Sequence, residues 1–341
     1  MKDRSWQEFR VDPTGLVWAY RLGAPHAPVP LEAEALVAEI DVHQRMLRSD
    51  GSLLWMHFNL SQASTERWLR THAFLPPEFF ESLQQGSRST RVDRVDDGLL
   101  TVMNDVLHGF SFEPSEISTL WVYVTPGMVI SARRKPLKSV DRLRQAVQNG
   151  TPIRSTVELL THLLRDQADV LIGIVRDAVE RVDKIEDDLL AGRLDSKRGN
   201  LGSLRRVLVR LQRLMAPEPA ALFRLLQRPP AWIAGTDLQE LRESSEEFSA
   251  VLNDMGSLQE RIKLLQEEIA AMINERSSRS LYTLTVFTVV ALPVNLIAGL
   301  FGMNVAGIPL AEHEHGFWVV VGLVVAFTSL ALWALTRRRG G

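Results

Sequence analysis

The chain has no cysteine. Disulfides, thiolate metal sites and a cysteine nucleophile are thereby excluded. It also lacks an excess of charge of either sign: 39 basic against 41 acidic residues leave a formal net charge of -2. A nucleic-acid binder would carry a clear basic surplus on one domain, so that class is set aside. No Walker loop, dinucleotide glycine fingerprint or nucleophile motif occurs, and an enzymatic role is not expected. Met1–Arg10 holds no apolar core, so no secretory signal peptide is read there. The most telling absence is local. From Ser280 to Ala311 there is no charged residue, whereas charge is spread through residues 1–279.

What fills that gap is hydrocarbon. Leu281–Phe301 is apolar and long enough to cross a bilayer, which takes about 20 residues at roughly 1.5 Å each. Phe317–Leu335 is a second uncharged run, ending at Thr336-Arg337-Arg338-Arg339. Neither run has the polar stripe of an amphipathic core helix. Arg276 and Arg279 precede the first span and three arginines follow the second, while the loop between them has no Lys or Arg. By the distribution of basic residues, both termini are expected in the cytoplasm and the loop outside.

Residues 1–150 read as a cytoplasmic α/β domain. Leu53–Leu60, Leu99–Val106, Ser118–Val124 and Met128–Ala132 are strand candidates, with Pro126-Gly127 turning a hairpin. Ser64-Thr65-Glu66-Arg67 reads as a helix start, and Leu137–Val147 as a closing helix. Residues 151–235 read as helices: Val157–Leu190, then Leu201–Met215, punctuated afterwards by Pro217, Pro219, Pro229 and Pro230. From Thr236 no proline occurs until Pro293. Leu238, Leu241, Phe248, Leu252, Met255, Leu258, Ile262, Leu265, Ile269 and Met272 recur at mostly three- and four-residue steps, a coiled-coil-like seam that would favour oligomerisation. One rod over 236–301 is expected, about 100 Å long, with 281–301 in the membrane and a slight kink at Pro293. Residues 302–316 then form the outer loop, 317–336 the second span and 337–341 a basic tail. The fold class is α+β.

One face of the first span is unusual. Leu281, Thr285, Thr288, Leu292, Asn295 and Gly299 lie at alternating three- and four-residue steps and carry most of its small and polar side chains. This face suits either close helix packing or a pore wall, with Leu281 and Leu292 as apolar rings that gate by dewetting. Two helices cannot enclose a pore, so a pore needs a homo-oligomer.

Leu292-Pro293-Val294-Asn295-Leu296-Ile297-Ala298-Gly299-Leu300-Phe301-Gly302-Met303-Asn304 resembles the end of the pore helix in the CorA metal-ion transporter superfamily. Val305-Ala306-Gly307-Ile308-Pro309 is similar to its ZntB zinc-transporter branch, as are Trp55–Leu60, Ser89–Val92, Val129–Arg133 and Met215-Ala216-Pro217. The loop departs from the pattern after Pro309, where Glu312-His313-Glu314-His315 stands in place of a more glycine-rich stretch. The resemblance implies a homopentamer, a funnel-shaped cytoplasmic domain, and Gly302, Met303 and Asn304 as outer mouth and selectivity ring. It also implies zinc as transported substrate rather than cofactor, and coupling to protons.

The chemistry agrees in part. The Asn304 carbonyl is a neutral oxygen suited to the waters of a hydrated divalent ion, but an Asn ring alone does not choose zinc over magnesium. Glu312, His313, Glu314 and His315 could attract metal ions or protons. His57, His72, His108 and His162 are scattered and read as structural. The expected partners are Zn2+ and other divalent cations, protons, the lipid bilayer and further copies of the chain, with no nucleic acid. The alternatives are a magnesium or general divalent-cation channel of the same build, and a membrane-anchored scaffold without transport.

Overall fold

The computed structural model describes residues 14–23, 27–45, 51–85, 90–191, 198–303 and 314–337. Residues up to Leu265 form one compact unit and those from Gln266 a second.

In the first unit a seven-stranded sheet has the order β2-β1-β3-β7-β6-β5-β4. The strands are β1 (Leu16–Leu22), β2 (Val29–Pro30), β3 (Leu53–Asn59), β4 (Arg91–Val95), β5 (Gly98–Val106), β6 (Ile117–Val124) and β7 (Met128–Arg133). All neighbours are antiparallel except β3 and β7, which run parallel at the centre. Both faces are covered, which is why the central strands read as apolar runs. Side chains alternate with the pleat. Trp55, Leu99, Met103, Leu120, Val122, Val124 and Val129 enter one core, and Leu54, Met56, Phe58, Leu100, Trp121, Tyr123 and Ile130 the other.

The second of these cores is closed by α1 (Ala33–Arg45), α2 (Ala63–His72) and α3 (Pro77–Gln85), through Leu36, Ile40, Leu69, Phe79 and Leu83. The first is closed by α4 (Lys138–Gln148), α5 (Thr156–Leu190), α7 (Pro217–Gln227) and the start of α8 (Gly235–Phe301). Leu143, Leu160, Leu222 and Leu241, one from each of these helices, sit in one cluster with the strands. A single hydrophobic core therefore runs across residue 150.

Several elements depart from the sequence expectation. Helix α2 starts at Ala63 with Gln62 as an N-cap that makes no side-chain cap, so Ser64 does not open it. Thr65 instead donates to the Asn59 carbonyl (2.8 Å), tying the helix to the end of β3. Pro217 and Pro219 do not interrupt a helix but begin α7, where the missing N–H would be unpaired anyway. The seam on α8 is corrected most. Leu241, Phe248, Leu252, Met255, Leu258, Ile262 and Leu265 are buried within the single chain. Gln212 of α6 (Arg198–Met215) donates to the Leu252 carbonyl (3.2 Å), and Arg261 donates to Glu186 of α5 (2.9 Å). That stretch of the seam is an intramolecular packing face, so it supplies no argument for oligomerisation.

Gly15 marks a close approach. Its φ is +80°, and a Cβ there would lie 1.8 Å from Thr65 Oγ1, while its carbonyl accepts from the Asn59 amide (2.8 Å). Gly15→Ala is expected to cost roughly 2 kcal/mol or more. A lowered melting midpoint of the purified protein checks this; an unchanged midpoint contradicts the packing.

Candidate pore segment

In the second unit, α8 continues through Pro293 to Phe301, and α9 spans Gly316–Arg337. Helix α8 carries a stretch long and apolar enough to cross a membrane, and none of that stretch is buried. No break occurs at Pro293.

Coverage along the membrane part of α8 is uneven. Tyr282, Val286, Val289, Val290, Pro293 and Ile297 are half-buried. On α9 the half-buried positions include Val320, Val321, Val324 and Thr328. Both sets follow helical spacing. On each helix the less exposed positions thus fall along one side.

The polar face lies elsewhere. Leu281, Thr285, Thr288, Leu292, Asn295 and Gly299 are all exposed, Leu281 at 61% and Leu292 at 64%. Leu281, Thr285, Thr288 and Leu292 each sit one position before a covered residue, about 100° around the helix. The six thus share one exposed face of α8, apart from its less exposed side. Thr285 Oγ1 donates to the Leu281 carbonyl (2.8 Å) and Thr288 Oγ1 to that of Leu284 (2.9 Å). Each hydroxyl proton is satisfied inside the helix, and its oxygen lone pairs remain available outward. Asn295 forms no side-chain hydrogen bond among the described residues. An exposed amide in hydrocarbon is costly, so this face calls for water or a partner helix.

At the helix end, the Gly302 amide donates to the Ala298 carbonyl (2.8 Å). A Cβ at Gly302 would meet that oxygen at 2.9 Å, so glycine suits the close turn. Met303 is exposed. Asn304, Val305–Pro309, Glu312 and His313 lie outside the described residues, as do Arg338 and Arg339. Glu314 and His315 are exposed, and the His315 carbonyl accepts from Val319 at the start of α9 (3.3 Å). No cluster of three or more metal-ligating side chains occurs among the described residues.

The first unit holds two buried polar clusters. In one, Arg133 Nε donates to His57 Nε2 (3.0 Å), which leaves the ring proton on Nδ1, facing Ser131 Oγ (2.8 Å). Ser131 Oγ also accepts from Trp55 Nε1 (3.0 Å) and donates to the Met56 carbonyl (3.1 Å). Burial holds the His57 pKa well below its ordinary value, and the Arg133 and Arg144 charges add to this. Both ring nitrogens are occupied, so His57 is a structural residue, as its isolation in the sequence suggests.

The other cluster has no counterpart in the sequence reading. Gln167 Nε2 donates to the Asn104 carbonyl (2.7 Å) and to Glu218 Oε2 (3.2 Å). Glu218 is fully buried; burial pushes its pKa to about 8, against the pull of the Gln167 hydrogen bond and with a push from Asp105. Glu218 Oε1 and Gln167 Oε1 are both buried without a hydrogen-bond partner among the described residues. Asp105 is itself raised to about 6 by burial, although Ser139 and the Val106 amide donate to it.

A family model described as CorA-like Mg2+ transporter protein matches residues 50–338. The zinc transport protein ZntB of Yersinia enterocolitica is 28% identical over 82% of this chain and 85% of its own. The divalent cation transporter CmaX of Pseudomonas aeruginosa is 30% identical over 84% of this chain and 87% of its own. A structure of full-length CmaX superposes with a TM-score of 0.79 at 25% identity, covering 98% of this chain and 100% of that one. The chain belongs to the CorA-like Mg2+ transporter family, a divalent-cation transporter of the CorA type.

Proposed function

We propose that the chain takes up divalent cations, zinc foremost, in symport with protons, through a central pore that a homopentamer builds from the Leu281–Gly299 face of α8. The observation that carries this reading is the exposed polar face of α8, offset from the less exposed stripe of the same helix. In an oligomer, Thr285, Thr288 and Asn295 supply polar rungs between and beyond the apolar rings of Leu281 and Leu292. In this reading Gly302, Met303 and Asn304 serve as the outer mouth, and Glu312, His313, Glu314 and His315 draw cations or protons. Arg276, Arg279 and Arg337 favour both termini in the cytoplasm of an inner membrane. With a negative interior, each elementary charge gains about 2.3 kcal/mol per 100 mV on entry, so the field favours uptake.

Zinc is supported by the ZntB relative. A magnesium or general divalent-cation channel is the second reading, supported by the family description and by the name of CmaX. Purified protein in liposomes loaded with zinc- and pH-sensitive dyes separates them. Zinc entry with lumen acidification, resisting competition by Mg2+, is expected. Magnesium flux above zinc flux would remove the zinc assignment, and zinc entry without acidification would remove symport.

A further inference from the structure

A cavity of about 450 Å³ in the first unit lies outside everything described so far; it is lined by Phe112, Arg181, Lys184, Ile185, Asn200, Ser203 and Leu204. Buried Ile185 of α5 and Leu204 of α6 give it an apolar floor. Arg181 and Lys184 are three residues apart on α5, and Asn200 and Ser203 three apart on α6, so each pair shares a helix face. The volume falls in the range of small-molecule sites, roughly 300–1,000 Å³.

Its charge is one-sided. Among the described residues no acidic side chain lines it. Neither Arg181 nor Lys184 forms an ion pair among the described residues, although Asp177 and Glu180 stand one turn before them. Of the nearby acids of α5, Asp183 and Glu186 both pair with Arg261. The Arg181 guanidinium lies 3.9 Å over the Phe112 ring instead. Phe112 has φ +67°, a left-handed conformation that a bulky side chain rarely adopts. Such backbone strain is concentrated at functional sites. Here it sets an aromatic ring into the cavity wall, with a guanidinium laid across it.

We propose that this cavity binds a small soluble phosphate ester, with Arg181 and Lys184 meeting the phosphate and the Asn200 side-chain amide adding a hydrogen bond, while Ser203 donates to the Asn200 carbonyl (2.9 Å) and borders the site. A planar guanidinium beside an ammonium suits a phosphate dianion better than a neutral ligand. Phe112 supplies a flat apolar wall for the rest of the molecule.

The test uses full-length protein in phosphatidylcholine discs, titrated calorimetrically with AMP at low and high salt. Binding in the sub-millimolar range is expected, weakening as salt rises. Arg181→Gln with Lys184→Gln is expected to weaken it about tenfold or more, which is about 1.4 kcal/mol. Arg176→Gln, at an exposed position of α5 outside the cavity lining, is the control and leaves it unchanged. Circular dichroism and the melting midpoint verify that each variant is folded. No AMP binding, or equal affinity in the double variant, overturns the proposal. Competition by phosphatidic acid added to the discs would give the site to a lipid headgroup and overturn the soluble ligand.

Discussion

Asn295→Leu is expected to abolish most divalent-cation flux in liposomes while leaving the protein folded in the membrane. The effect follows from where Asn295 sits. Leu292 lies one turn before it and Gly299 one turn after, on the exposed polar face of α8. Leucine at this position would join Leu292 and extend the apolar constriction by about 5 Å, one helical turn. A hydrated divalent ion then has no polar rung to replace water contacts along that turn. A barrier raised by about 2–3 kcal/mol slows flux roughly 30- to 150-fold. Asn304→Ala is expected to act in the same direction at the outer mouth. Val294→Ala, exposed but about 100° around the helix from Asn295, serves as the control and should retain flux. A scaffold that merely anchors to the membrane predicts no change in any of the three, so unchanged flux in Asn295→Leu would sink the pore reading.

Glu218→Gln is expected to stabilise the first unit at alkaline pH and to leave it nearly unchanged near pH 4.5. The sign follows from the proton count. The folded carboxyl holds its proton up to about pH 8, whereas the ordinary value is 4.5. Between those values the unfolded chain releases a proton that the folded one keeps, so stability falls as pH rises and levels off above the folded pKa. Each unit corresponds to about 1.36 kcal/mol. Allowing for relaxation around an ionised buried group, about 2–4 kcal/mol is expected at stake by pH 8.5. Glutamine keeps the shape of the neutral acid, and its amide offers a donor to Gln167 Oε1, which is buried without one. At roughly 2–4 °C per kcal/mol, the variant should melt about 5–10 °C above wild type at pH 8.5. Parallel pH profiles for the two proteins would contradict the assignment.

The hairpin is legible in the sequence because hydrophobic length needs no partner to be recognised. So is the central sheet: Leu53–Leu60 and Met128–Ala132 are apolar runs punctuated by turn residues, and β3 and β7 occupy them. The oligomer seam misleads because heptad spacing records only that a face is buried, not by which chain. Leu252 and Leu258 are buried by helices of their own chain. Strand β4 is hidden because Arg91-Val92-Asp93-Arg94-Val95 is an edge strand with charged positions, which resembles a loop in composition. Glu218 gives no signal at all. An acid in the first turn of a helix ordinarily faces water and complements the helix dipole, and only the fold shows that α7 is turned inward there. The six-residue polar face is fully legible as a stripe, but its offset from the less exposed side of α8 needs the structure.

The one parallel pairing in the sheet has a consequence for how the protein is made. His57 pairs in register with Ser131, so β3 leaves the ribosome long before the strand it needs. Until β7 emerges, the apolar Leu53–Phe58 segment has only β1 to shield it among the strands. Synthesis then continues through α5, α6 and α7, and at about 5–20 residues per second the sheet has on the order of ten seconds to close before Leu281 appears. The pairing of the sheet and the insertion of the apolar segments are thereby separated in time, and the slow non-local pairing has its window ahead of the membrane step.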